Sequence, residues 1–377
     1  MIDFDDIRPY SDAELKPVLK KIARNRWLAS GIRSVFFPRI PNSLKPAADF
    51  LINLLIKFHF IGIKTTEEFK TKIALGIAVK YLIKNTTRSI SYTGLDYLDP
   101  EESYIFVSNH RDIVLDPALM IHVLHKNGFR IPHIAFGSNL MMNDVIADLI
   151  RISNGFIVKR DLSMRDQVKE SLKLSEYIND LVENNMPIWV AQREGRAKDG
   201  IDTTNPAVIK MLYLAKRKEM SLTEFIKYVK IVPVSISYEF DPTDKVKGWA
   251  LYRKRVYGNH IKRKFEDLVH MTAGMKGYKG NVHFSFAKPL EGDFKTVQEV
   301  ADAIDNKIQT GYRLWRSNYI AYDTISRTGK YSNRYDKAEA IKFLKRYKKL
   351  PEDVKTIVLE SYANPVISFE NQIKKEV

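Results

Sequence analysis

The sequence predicts an α/β fold: a mixed, largely parallel sheet flanked by helices, with an N-terminal helical region and a C-terminal, partly helical extension. Three observations carry this. From about Arg88, short β-rich runs alternate with amphipathic stretches, the pattern of strand–helix–strand units. Before that point, helix-capping signals introduce apolar residues at helical spacing. Beyond about Asn318 the chain turns basic and tyrosine-rich, with two short helical patterns. The divisions expected are 1–85, 86–316 and 317–377.

Taken in order, Ser11-Asp12-Ala13-Glu14 is a capping box ahead of Leu15, Val18, Leu19 and Ile22, with Pro17 inside the pattern as a candidate kink. Thr65-Thr66-Glu67-Glu68 is a second box, ahead of Phe69, Ile73, Ile77, Leu82 and Ile83. Strands are predicted at 89–92, 104–107, 133–136, 156–158, 188–191, 231–237 and 282–286. Helices are predicted between them at 117–126, 144–152, 166–184, 206–218 and 297–314, then at 338–347 and 351–362 in the tail. Pro233, inside a strand pattern, predicts an edge strand or a strand start. The aromatic residues Tyr312, Trp315, Tyr319 and Tyr322 read as packing residues.

Composition narrows the chemistry. The 377 residues include no cysteine, which excludes disulfides, thiolate nucleophiles and cysteine-ligated zinc or iron–sulfur clusters. His122 and His125 stand three apart without a companion ligand motif, so no metal site is predicted. The net charge of +16, from 61 basic and 45 acidic side chains, favours a polyanionic partner: a membrane surface, a nucleic acid or an acidic carrier protein. The acidic start Met1-Ile2-Asp3-Phe4-Asp5-Asp6 does not resemble a signal peptide, and no apolar run reaches spanning length. The apolar stretches 47–63 and 73–83 are either core helices or segments lying in a bilayer interface. Tyr252–Lys264, rich in Arg and Lys, is a solvated face or a contact for anionic lipid or a carrier protein. No recognised nucleic-acid motif accompanies it, and no nucleic-acid partner is expected.

Four segments can carry chemistry. In the first, an apolar run ends in Ser108-Asn109-His110-Arg111-Asp112, with Asp116-Pro117 just beyond. That places an imidazole at a strand's carboxyl end, where open α/β sheets bind ligands. Asp112 and Asp116 both compete to orient it, and an imidazole so held can take a proton from a hydroxyl near neutral pH. In the second, Gly155-Phe156-Ile157-Val158 ends in Lys159 and Arg160, a point charge and a fork suited to phosphate. The third, Arg193-Glu194-Gly195-Arg196-Ala197-Lys198, is a charged, glycine-bearing turn after a buried strand. The fourth, Val232-Pro233-Val234-Ser235-Ile236, can wall a ligand site.

In this order the four segments resemble the motif blocks of the glycerolipid acyltransferase family. Asn109-His110-Arg111 with Asp116-Pro117 matches the first block, Gly155-Phe156-Ile157-Val158-Lys159-Arg160 the second, Glu194-Gly195-Arg196 the third and Val232-Pro233-Val234-Ser235-Ile236 the fourth. The resemblance spans about 86–286. Three spacings depart from the family pattern. Five residues rather than four separate His110 from Asp116, Glu194-Gly195 adjoins Arg196 directly, and Gly155 is one residue closer to Arg160.

The resemblance implies acyl transfer from a thioester donor, acyl-CoA or acyl carrier protein, to a glycerolipid hydroxyl, with no cofactor. His110 would be the general base and Asp116 its orienter. Arg160 would hold an acceptor phosphate, helped by Lys159, Arg193 or Arg196, and Glu194 with Gly195 would line the acceptor site. The first expected acceptor is 1-acylglycerol-3-phosphate, with glycerol 3-phosphate or a lyso-aminolipid as alternatives; a non-catalytic basic membrane-binding protein is the remaining reading. The expected setting is cytoplasmic, peripheral to the inner face of an anionic membrane.

Overall fold

The computed structural model describes residues 3–141, 143–258 and 265–376. Seven strands form one sheet: β1 (Thr87–Thr93), β2 (Ile105–Ser108), β3 (His133–Gly137), β4 (Gly155–Val158), β5 (Ile188–Ala191), β6 (Ile231–Tyr238) and β7 (Gly280–Phe286). Their order is β1-β7-β6-β2-β5-β3-β4. Every neighbouring pair is parallel except β6–β7. The mixed, largely parallel sheet is therefore as expected, and each predicted strand is present.

The N-terminal helices are α1 (Asp12–Ala23), α2 (Arg26–Phe36) and α3 (Lys45–Ile61). Next, α4 (Thr66–Glu68) and α5 (Lys80–Thr86) flank a π-helical stretch, Phe69–Val79. Glu14 closes the first capping box by accepting from the Ser11 amide at 2.8 Å, and α1 continues through Pro17. Within the α/β region lie α6 (Leu115–Lys126), α7 (Asp144–Ile152), α8 (Met164–Glu183), α9 (Pro206–Tyr213), α10 (Leu222–Val229), α11 (Asp244–Tyr257), α12 (Glu266–Lys276) and α13 (Val297–Thr310). The tail forms α14 (Arg316–Ser326), α15 (Lys337–Lys345) and α16 (Glu352–Glu376).

Strand alternation sorts the core into two layers. Phe106, Ile134, Trp189, Val234 and Phe284 pack against α6, α5 and the π-helical stretch. Ile105, Val107, Ile188, Val190 and Ile231 face the other way, onto α8, α9, α10 and α13. The tail adds a third cluster in which Phe343, Tyr347, Val358, Leu359 and Tyr362 interlock.

Several expectations need correction. Pro233 is not at an edge: β6 lies between β7 and β2, and Pro233 is its third residue. Its carbonyl accepts from Ala287, just past β7, so its nitrogen faces the place where the β7 ladder has ended and no donor is needed. The helix expected at 206–218 stops at Tyr213, and the one expected at 351–362 runs on through Pro365 to Glu376. Helices α10, α11, α12 and α14 were not anticipated.

The apolar segment 47–63 becomes α3, and it is not a core helix. Ile52 is its buried residue, whereas Phe50, Leu51, Leu54, Leu55, Phe58 and Ile61 are exposed along one side. Asp49 on the other side pairs with Arg33 of α2 at 2.6 Å. The segment 73–83, by contrast, sends Leu75, Val79 and Leu82 into the core. Of the basic stretch Tyr252–Lys264, positions 259–264 lie outside the described residues. Of its described part, Arg255 is paired with Glu360 at 2.5 Å and Arg253 stands 3.8 Å from Glu266.

Candidate active site

Strands β2, β3, β4 and β5 run parallel, so the loops that follow them leave from one end of the sheet. The first, second and third motif segments all lie in these loops. The loops after β2 and β5 are stitched together by the Ala197 amide, which donates to the His110 carbonyl at 2.8 Å.

The Asn-His-Arg segment divides its labour by burial. Asn109 is fully buried and completes the edge of β6, accepting from the Ile236 amide at 2.7 Å and donating to the Ile236 carbonyl at 3.0 Å. Arg111 is buried against Asp202, donates to the Gly200 carbonyl at 3.3 Å and lies over the Tyr312 ring. Both flanking side chains are thus anchors. His110 between them keeps 14% of its side chain exposed, its ring edge-on to Trp189.

Asp116, at the start of α6, is the carboxylate that orients His110. Its Oδ2 accepts from His110 Nδ1 at 2.9 Å and from the Arg111 and Asp112 amides at 2.6 and 2.8 Å. Its Oδ1 accepts from the Tyr238 hydroxyl at 2.8 Å. A carboxylate surrounded by donors places the imidazole proton on Nδ1 and leaves Nε2 as the acceptor. Nε2 has no hydrogen-bond partner among the described residues. The extra residue in this segment is absorbed by the loop wrapping its amides around Asp116. Asp112 is not the orienter: its Oδ1 accepts from the Val114 and Leu115 amides, capping α6. Its Oδ2 is buried without a partner among the described residues, and burial, reinforced by Asp116, raises its carboxyl above the usual range.

The second segment separates its two cations. Neighbouring side chains at a strand end point to opposite sides. Lys159 turns toward Asp6 and toward Glu170 of α8, 2.9 Å away, so it does not join the expected phosphate site. Burial works to raise the Asp6 carboxyl, but hydrogen bonds from Lys159 and Lys173 outweigh it and hold the group at about 2. Arg160 turns the other way. Its guanidinium lies over Gly137, where an added Cβ would come within 2.7 Å of Cζ. Lack of a side chain at the end of β3 thus lets the arginine cross that strand toward β5. There Arg160 Nη1 meets Glu194 Oε1 at 2.8 Å, with Glu194 70% exposed.

In the third segment, Gly195 adopts φ +72°, a left-handed conformation that favours glycine. Glu194 and Gly195 are exposed there, beside Arg160. Arg196 is mostly buried and held from outside the motif: its Nη1 lies 2.7 Å from Nδ1 of His270 on α12, and Asp267 is 4.0 Å away. Burial, and then the charge of Arg196, lowers the His270 imidazole to about 4, so the ring is neutral and accepts from the arginine. Arg193 Nε is buried without a partner among the described residues, and its charge acts on Asp202. The structure thus brings His110, Asp116, Arg160, Glu194, Gly195 and Arg196 to one end of the sheet and sends Lys159 away.

Sequence reasoning missed Tyr238, Gly137, Asp202 and His270. Only Tyr238 carried a local signal, as a tyrosine closing the fourth motif strand. Among the described residues no group of three or more His, Asp and Glu side chains is placed to hold a metal ion.

Comparison with known proteins finds relatives of the α/β region. Residues 89–237 match the family model described as Acyltransferase. A glycerol-3-phosphate acyltransferase of Baumannia cicadellinicola is 27% identical over 194 residues, covering 49% of this chain and 21% of that protein. One from Pseudomonas putida is 26% identical over 192 residues, 51% of this chain and 22% of that protein. The chain thus aligns with only about a fifth of the length of these relatives. The 1-acyl-sn-glycerophosphate acyltransferase structure from Thermotoga maritima aligns at TM-score 0.41 and 15% identity, covering 78% of this chain and 94% of that one. Residues 89–237 are thus similar to acyltransferase domains, and the chain resembles glycerolipid acyltransferases over that part of its length.

Proposed function

We propose that this protein transfers a fatty acyl group from a thioester to the hydroxyl of a phosphorylated glycerol. The supporting observation is geometric: His110, clamped by Asp116, and Arg160, drawn across β3 to Glu194, emerge at the same end of the sheet. His110 Nε2 takes the acceptor's proton as its oxygen attacks the thioester carbonyl. The ester C–O bond forms, the C–S bond breaks, and the imidazolium returns the proton to the departing thiolate. Asp116 holds the tautomer and stabilises the imidazolium, so no enzyme nucleophile is needed.

Arg160 anchors the acceptor phosphate, which takes over the partner role that Glu194 fills in this structure. Anchoring at the far end of a short glycerol backbone fixes its hydroxyl near the base, an orientation effect. The motif resemblance puts 1-acylglycerol-3-phosphate first among acceptors, whereas the curated relatives reported above carry the name of the glycerol 3-phosphate enzyme. We favour glycerol 3-phosphate on that ground. The donor is acyl-CoA or acyl carrier protein.

The exposed side of α3 is the proposed membrane contact. No helix among the described residues is long and apolar enough to cross a bilayer. An amphipathic helix can instead lie in the interface. Six apolar side chains face outward there, with Lys57 and Lys64 also exposed for anionic headgroups. At about 1.5–3 kcal/mol per fully buried side chain, even partial insertion contributes on the order of 5 kcal/mol. On this reading the enzyme works at the inner face of the membrane, and the exposed apolar side of α3 supports a peripheral contact. Replacing Phe50 and Phe58 with glutamate should release the protein from anionic vesicles in a flotation assay and leave its melting temperature unchanged. Undiminished vesicle binding would move the contact elsewhere.

The function is tested by offering labelled acyl-CoA and acyl carrier protein against glycerol 3-phosphate, 1-acylglycerol-3-phosphate, a lyso-aminolipid and glycerol. Product is expected from phosphorylated glycerols, glycerol 3-phosphate foremost. Transfer confined to the phosphate-free acceptors, or to none, contradicts the proposal.

A further inference from the structure

The Asp116 carboxylate has a side-chain donor that the proposed mechanism does not use. Tyr238, the last residue of β6, is 3% exposed, and its hydroxyl donates to Asp116 Oδ1 at 2.8 Å. The other oxygen takes the His110 ring and two backbone amides. Tyr238 is therefore the one hydroxyl on the carboxylate among the described residues, and the one donor on Oδ1. Its ring belongs to the same core cluster as Phe106, Leu115 and Leu119. A small cavity beside it is lined by Arg111, Asp241 and Tyr312, and by Asn318 and Tyr362 of the C-terminal extension.

We propose that Tyr238 is a positioning residue that acts through Asp116 to set the orientation and proton affinity of His110. The proposal rests on the reading of His110 as the base. Burial, together with Asp116 and Asp112, pushes the Tyr238 hydroxyl well above the usual phenol range, so it stays a donor across the working pH range. A hydrogen bond to the carboxylate draws negative charge away from the His110 side. Without it, Asp116 stabilises the imidazolium more strongly, and the ring protonates at higher pH. The neutral base is then lost earlier as pH falls, so the acid limb of the rate profile moves up.

The other charged groups around this pair are Arg111 and Asp112 in the loop, Arg196 after β5, Asp241 after β6 and Lys279 before β7. Tyr238→Phe keeps all of these side chains and removes only the hydroxyl, so wild type and variant differ in that one donor.

The test uses Tyr238→Phe in the full chain. The His110 ring is titrated by NMR, with His110→Gln to assign its signal, and kcat/KM is followed against pH. The His110 midpoint and the acid limb should both rise by roughly half a pH unit or more. The value of kcat should fall about 3–30-fold, with little change in KM for either substrate. A folded variant whose His110 midpoint coincides with wild type overturns the proposal. If Tyr238→Phe does not fold, 3-fluorotyrosine at position 238, a stronger donor of nearly the same size, replaces it. The midpoint should then fall, and an unmoved midpoint overturns the proposal. The NMR midpoint requires no substrate. Wild-type protein that transfers no acyl group, together with a His110 midpoint that still moves in Tyr238→Phe, would therefore sink the proposed function and leave the Tyr238 coupling standing.

Discussion

His110→Ala should lower the acyl-transfer rate about 10²–10⁴-fold, the usual worth of a positioned general base. The fold should survive. The imidazole is partly exposed, its ring touches Trp189 edge-on, and Asp116 keeps the Arg111 and Asp112 amides and the Tyr238 hydroxyl when the ring is gone. The loop is held independently by Asn109 on β6 and by Ala197 on the His110 carbonyl, neither of which needs the imidazole. The check is kcat with saturating donor and acceptor, beside a melting curve. A folded variant with undiminished turnover would strip His110 of its role.

Asp202→Ala should cost about 3–5 kcal/mol of stability, because it strands a charge inside the protein. Asp202 and Arg111 each expose only 6% of their side chains, and Asn109 also donates to Asp202 at 3.2 Å. Removal of the carboxylate leaves the guanidinium with the Gly200 carbonyl, the Tyr312 ring and the unbonded charge of Asp241. Replacing both residues, Arg111→Met with Asp202→Leu, should recover much of the loss, since apolar groups of similar volume avoid the desolvation cost. Denaturant titration of the single and double variants measures this as a cycle. A single variant within about 1 kcal/mol of wild type would show that the pair does not anchor the loop.

The sheet was legible because its strands are short apolar runs cut off by polar residues, and all seven appear where those runs lie. Long amphipathic helices were legible by their period, α8 most clearly. Helix α12 was not, because its inward side is polar: Glu266, Asp267 and His270 are buried beside Arg196 and the neighbouring cations. No hydrophobic periodicity marks such a face. At the site, the residue types were readable but not their directions. Lys159 and Arg160 look interchangeable as adjacent cations, yet strand alternation sends one to Asp6 and the other across Gly137. Asp116 reaches His110 across an extra residue because backbone amides fold around its carboxylate, a tertiary arrangement that spacing alone does not disclose.

In the proposed reaction one acceptor is gripped at both ends, its hydroxyl by the imidazole and its phosphate by Arg160. The most direct measurement is the ratio of kcat/KM for glycerol 3-phosphate over glycerol, in wild type and in Arg160→Ala. Glu194, the partner of Arg160, is 70% exposed, so loss of the pair should cost only about 1 kcal/mol and the variant should fold. Wild type should prefer the phosphorylated acceptor by at least about 10²-fold, and the variant should lose most of that preference with the donor KM little changed. A folded Arg160→Ala enzyme that keeps the wild-type ratio would contradict the account.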